Sequence, residues 1–166
     1  MKYTAIFLAI ILAVAGSAFA QTVPPDTSMT AAAQGSYPAG TAFNGIPLTG
    51  FTIGNGAIIY GDGTGAEGHV GISLLGPTLP VGGQQVINID AVISGGSSTA
   101  ANLATVNGTA TVDLGNGTAP LTGVPIVITI SANPDDGSGT VGIVLGATTL
   151  PTSAISDGTM TVAPMQ

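Results

Sequence analysis

The chain has 166 residues, of which one is Lys or Arg and eight are Asp or Glu, giving a formal net charge of −7, and it contains no cysteine. Charged residues make up 5% of the chain against a usual share of about 25%, while apolar residues reach 45%; disordered chains are polar and charged instead. Lys2 and His69 are the only basic side chains, which excludes nucleic acid and anionic membranes, both bound through Lys and Arg. Without cysteine the fold has no disulfides, and with so few cations it must rest on apolar packing and backbone hydrogen bonding.

Residues 1–20 read as a signal peptide. Met1-Lys2-Tyr3 is a short basic n-region, Ile6 to Ala15 is apolar, and Ala18-Phe19-Ala20 is a small-x-small cleavage site before Gln21. The expected destination is secreted or extracytoplasmic: the extracellular space, the cell surface or the periplasm. No later stretch approaches the roughly 20 apolar residues of a helical span, so no transmembrane anchor is expected in the mature chain.

From Gln21 to Gly40 the residues are mostly Ala, Thr, Ser, Pro and Gln, and a flexible arm is expected over 21–40, followed by a single domain over 41–166. Within the domain, apolar residues fall on alternate positions, the period of a half-buried strand. The sets are Val70, Ile72, Leu74; Ile87, Ile89, Ala91, Ile93; Ala110, Val112, Leu114; Ile126, Ile128, Ile130; Val141, Ile143, Leu145; and Met160, Val162. The only helical spacing after the leader is a short Ala stretch from Thr99 to Ala104.

Turn signals separate these runs: Gly54-Asn55-Gly56, Asp62-Gly63-Thr64-Gly65, Val81-Gly82-Gly83, Gly95-Gly96, Asn116-Gly117, Asp135-Asp136-Gly137 and Asp157-Gly158. The pattern predicts an all-β fold, an antiparallel β-sandwich or small barrel of about seven to nine short strands.

A longer repeat runs through the domain. Pro47-Leu48-Thr49-Gly50 returns as Pro120-Leu121-Thr122-Gly123, Asp62-Gly63-Thr64-Gly65 as Asp136-Gly137-Ser138-Gly139, Val70-Gly71-Ile72 as Val141-Gly142-Ile143, and Thr78-Leu79-Pro80 as Thr149-Leu150-Pro151. The order and near-constant offset predict an internal duplication of segments 47–80 and 120–151. The first copy carries three extra residues, Ala66-Glu67-Gly68, expected in its turn.

Few side chains here support chemistry. No Cys or Lys of the mature chain can act as nucleophile or Schiff base, and no Gly-x-Ser-x-Gly elbow is present, so no enzymatic activity is expected. Asp62, Glu67, Asp135 and Asp136 are hard oxygen ligands suited to Ca²⁺, although the same sequences serve as tight turns. His69 could pair with a neighbouring carboxylate, and Tyr37, Phe43, Phe51 and Tyr60 cluster along the chain. Tyr37, Tyr60 and His69 are thus the candidate ligand contacts. Asn107-Gly108-Thr109 and Asn116-Gly117-Thr118 match the glycosylation acceptor pattern but also the Asn-Gly turn.

These features predict a secreted, non-enzymatic structural or adhesive protein, self-associating through strand edges. The alternative is a binding module for extracellular polysaccharide or another small neutral ligand, with Ca²⁺ as its one candidate cofactor.

Overall fold

A computed structural model describes residues 23–79 and 83–166. The predicted leader and most of the Val81-Gly82-Gly83 signal lie outside them. The described chain is all β: β1 (Thr27–Ser36), β2 (Ala42–Phe43), β3 (Ile46–Pro47), β4 (Gly50–Ile59), β5 (Ala66–Leu79), β6 (Gly83–Ala100), β7 (Leu103–Asp113), β8 (Leu121–Ala132), β9 (Gly139–Leu145), β10 (Thr148–Thr149) and β11 (Ser153–Pro164).

Strands β4 to β9 follow one another as antiparallel neighbours, β11 lies between β9 and β1, and β1 pairs with β4. Because β9 pairs with β8 on one side and with β11 on the other, the sheet closes into a barrel. Of the two architectures expected, the barrel is the one formed. Closure at the β9–β11 seam is brief, resting on Ser153 opposite Val141 and Ala154 opposite Thr140. The short β10 extends the same edge of β9.

The alternation read from sequence decides which side faces in. Every apolar set named above is buried, and Ile87, Ile128, Ile130, Val106 and Leu74 are wholly inaccessible. A barrel of about eight strands has an interior just wide enough for side chains to fill, and here small residues at Ala31, Ala33, Ala91 and Ala104 stand among large ones. Among the described residues no buried side-chain nitrogen or oxygen lacks a hydrogen-bond partner.

The expected arm over 21–40 is corrected: Thr27–Ser36 is a strand paired along its length with β4 and over most of it with β11. Met29, Ala31 and Ala33 point inward and Thr30, Ala32 and Gln34 outward. The alternation is real but is written in alanine, whose small side chain gives little contrast with its polar neighbours. The domain therefore includes β1 and does not begin at Thr41.

Three turn signals also fall inside strands. Gly54-Asn55-Gly56 lies within β4, paired on both sides. Asn55 stands opposite the buried Ala31 and Val70, yet its φ of 72° accompanies an exposed side chain; the left-handed backbone diverts a polar group from the barrel interior. Gly95-Gly96 accommodates a bulge in β6, and Asp157-Gly158 lies in β11 beside the irregularity at Gln34 and Gly35. Thr99 to Ala104 is not helical but spans the end of β6, the β6–β7 turn and the start of β7.

Strand direction sorts the connections into two ends. The β4–β5, β6–β7 and β8–β9 turns share one end with both described chain termini, where Met165 donates its amide to the Asp26 carbonyl at 2.7 Å. The other end is covered by the 37–49 connection. Its hairpin β2–β3 turns at Asn44-Gly45 with φ of 49° and 78°, both positive as a type I′ turn requires. Tyr37, Phe43 and Leu48 from this connection are buried.

Two of the four recurring landmarks occupy like positions. Asp62 and Asp136 turn the hairpins β4–β5 and β8–β9 at the same barrel end, and Val70-Gly71-Ile72 and Val141-Gly142-Ile143 lie on their returning strands. Ala66-Glu67-Gly68 is not a turn insertion: it opens β5, with Ala66 to Gly68 opposite Ile59 to Ala57.

Candidate functional site

The densest group of titratable side chains gathers at the β4–β5 turn. Tyr60 and Gly65 close it by an N–H···O bond of 2.9 Å, and Gly63 donates to the Tyr60 carbonyl at 3.1 Å. Asp62 Oδ1 accepts from the Thr64 amide at 2.9 Å and its hydroxyl at 2.7 Å. The hydroxyl and then the amide hold the Asp62 carboxyl below its ordinary 3.8. Asp26 reaches the same turn, accepting the Gly61 amide at 2.8 Å.

Glu67 leaves the turn on β5. Hydrogen bonding of the Tyr60 hydroxyl to Glu67, followed by desolvation and the charges of Glu67, Asp26 and Asp62, pushes Tyr60 above its ordinary 10.0. Of the expected site residues, Asp62 and Glu67 thus both lie close enough to Tyr60 to act on its ionisation. Asp26 was not legible as their neighbour, because only the β1–β4 pairing brings it there.

Asp135 and Asp136 sit on the β8–β9 turn. Asn133 Oδ1 accepts the Asp135 amide at 3.1 Å, and Asp136 Oδ1 accepts the Ser138 amide at 2.8 Å. Hydrogen bonding from the Ser138 side chain, then its amide, keeps the Asp136 carboxyl below 3.8. The four carboxylates considered for Ca²⁺ thus divide between two hairpins, with Asp62 and Asp136 engaged by donors of their own turns. Among the described residues no three His, Cys, Asp or Glu side chains come together as metal ligands.

His69 points outward from β5. Its Nδ1 lies 3.1 Å from Asp90 Oδ1 on β6, with the two side chains 52% and 67% exposed. A contact this open to water contributes little to stability. Its partner is set by the antiparallel register, in which His69 faces Val92 and Asp90 faces Gly71.

The aromatic cluster does not form a platform, which corrects the expectation for Tyr37. Tyr37 is buried at the covered end with its ring centroid 5.3 Å from that of Phe51, and burial raises its pKa well above the ordinary 10.0. Phe43 and Phe51 are core residues as well. Tyr60 lies at the opposite end of β4.

The outer wall is chiefly neutral. Ser28, Thr30 and Gln34 of β1, Thr109 and Thr111 of β7, and Thr159 and Thr161 of β11 alternate with the inward set. Thr105 and Thr129 join hydroxyls across β7 and β8 at 3.1 Å. Transmembrane barrels carry an apolar band outward; this barrel turns most of its aliphatic residues inward, with Val92 and Leu121 exposed outside. No helix of the described residues is long and apolar enough to cross a membrane.

No protein-family model matches the chain, and neither a curated protein nor a solved structure matches it.

Proposed function

We propose that this is an exported, non-enzymatic structural or adhesive component of a cell surface, envelope or extracellular matrix. The observation that carries the reading is the division of the barrel: an aliphatic interior, and an outer wall made mostly of hydroxyls, amides and bare backbone, with Val92, Leu121, His69 and Asp90 among its exposed exceptions. Such a wall suits lasting contact with neutral surfaces, whereas turnover needs converging acids, bases or nucleophiles. Export rests on the leader at 1–20. Closure occupies most strand edges, so contact is assigned to the wall rather than to strand addition. The like placement of Asp62 and Asp136 supports reading segments 47–80 and 120–151 as copies of one unit.

Light scattering on residues 21–166 over a wide concentration range, paired with retention on insoluble polysaccharide, tests this. Growth into large species, or retention that survives high salt, supports the proposal. A constant mass of one chain together with no retention overturns it.

A further inference from the structure

Four Asn-Gly steps occur in the chain, beginning at Asn44, Asn55, Asn107 and Asn116. Their surroundings differ. Gly56 and Gly108 lie within β4 and β7, each paired with a strand on both sides, so Asn55 and Asn107 stand in paired strands, Asn55 with a left-handed φ of 72°. Asn44 and Gly45 form the tight β2–β3 turn, with no donor to the Asn44 side chain among the described residues.

Asn116 stands apart. It is exposed in the loop between β7 and β8, and its Oδ1 accepts from the Thr118 amide at 3.0 Å and from the Thr118 hydroxyl at 2.6 Å. Gly117 has φ of 80° and open space where a Cβ would stand, and its N–H has no partner among the described residues. These two bonds hold the Asn116 carboxamide over its own turn, on the chain segment that carries the Gly117 nitrogen. Both Thr118 donors then point at the oxygen that gains charge when that carbon is attacked, the arrangement that stabilises a tetrahedral oxyanion.

From this geometry we infer that Asn116 is a site of spontaneous backbone-assisted deamidation, with water as the only co-substrate. Hydroxide takes the Gly117 amide proton, and the nitrogen bonds to Cγ of Asn116. The oxyanion on Oδ1 collapses, the Cγ–Nδ2 bond breaks, and the protonated side-chain nitrogen leaves as ammonia. Water opens the resulting succinimide at either carbonyl, giving aspartate or isoaspartate and one new negative charge. One water enters and one ammonia departs. The turns at Asp62-Gly63-Thr64 and Asp136-Gly137-Ser138 have related hydrogen bonding but hold carboxylates; an ionised carboxylate is a poor electrophile, so these turns persist where Asn116 converts.

The test is incubation of the full-length chain at mildly alkaline pH in heavy-oxygen water, followed by peptic digestion in acid and mass spectrometry of the peptides. Asn116 is expected to convert about tenfold faster than Asn55 or Asn107, because its carboxamide is held over an open loop glycine while the other two steps lie in paired strands. Thr118→Ala is expected to slow conversion by about tenfold through loss of one oxyanion donor, and Thr118→Ser to retain the wild-type rate. Conversion at Asn44 or Asn107 before Asn116, or an unchanged rate in Thr118→Ala, overturns the assignment.

Discussion

Phe51 of β4 stands directly opposite Gly35 of β1, and its ring lies over the bare backbone there. A Cβ at residue 35 would sit 2.6 Å and 2.7 Å from two ring carbons and 2.8 Å from the Ala154 carbonyl oxygen. The missing side chain on one strand is filled by the large one on its neighbour. This happens beside the irregularity in the β1–β11 pairing and near the short β9–β11 seam.

Gly35→Ala is accordingly expected to destabilise the barrel by about 1–3 kcal/mol, the usual cost of overpacking. Urea unfolding measures it. Adding Phe51→Leu to Gly35→Ala should recover part of the loss, since the ring edge is the part of the obstruction that a side-chain change relieves. A Gly35→Ala chain as stable as wild type would show that the contact yields without cost.

The two faces of the barrel wall offer a second comparison. Ile128 of β8 is wholly buried, while Thr109 of β7 is exposed on the outer wall. Ile128→Ala should cost about 2–5 kcal/mol through lost burial and the cavity left behind. Thr109→Ala should stay within about 0.5 kcal/mol. Similar losses from both would contradict the inward and outward assignment.

Where aliphatic side chains alternated with polar ones, the strands were legible from sequence, because Val70, Ile72 and Leu74 can satisfy only one face. β1 was not, since Ala31 and Ala33 bury too little surface to mark a face. Asn55-Gly56 shows the converse failure: a local turn signal was overridden by pairing on both sides, and only the positive φ of Asn55 records the conflict. At the candidate site, Asp62, Tyr60 and Glu67 were neighbours in sequence and remained so in space. Asp90 beside His69 and Asp26 beside Gly61 depended on register, which alternation alone does not specify.

The turn carboxylates give an acid-side prediction. Asp62 and Asp136 have folded pKa values below their ordinary 3.8, so their stabilising contribution is present above that value and is lost as pH falls through the lower folded values. Thr64→Ala and Ser138→Ala remove the first cause of each shift. Each variant should be less stable than wild type near neutral pH, with the difference shrinking as the carboxyls protonate. Urea midpoints compared at neutral and strongly acidic pH test this, and a difference that does not change with pH would contradict it.

Alkaline titration probes the other end of β4. Residues 21–166 contain only two tyrosines, Tyr37 and Tyr60, so Tyr37→Phe leaves a single phenol to follow by absorbance. Tyr60 should ionise above 10.0, chiefly because of its hydrogen bond to Glu67. Its favourable contribution is present below 10.0 and declines as pH rises through the raised folded value. Adding Glu67→Gln removes the charge that the phenolate would face, and the Tyr60 transition should move down towards 10.0. A transition that stays in place would mean that Glu67 does not govern this phenol, and the carboxylates gathered at the β4–β5 turn would then act on their own backbone donors alone.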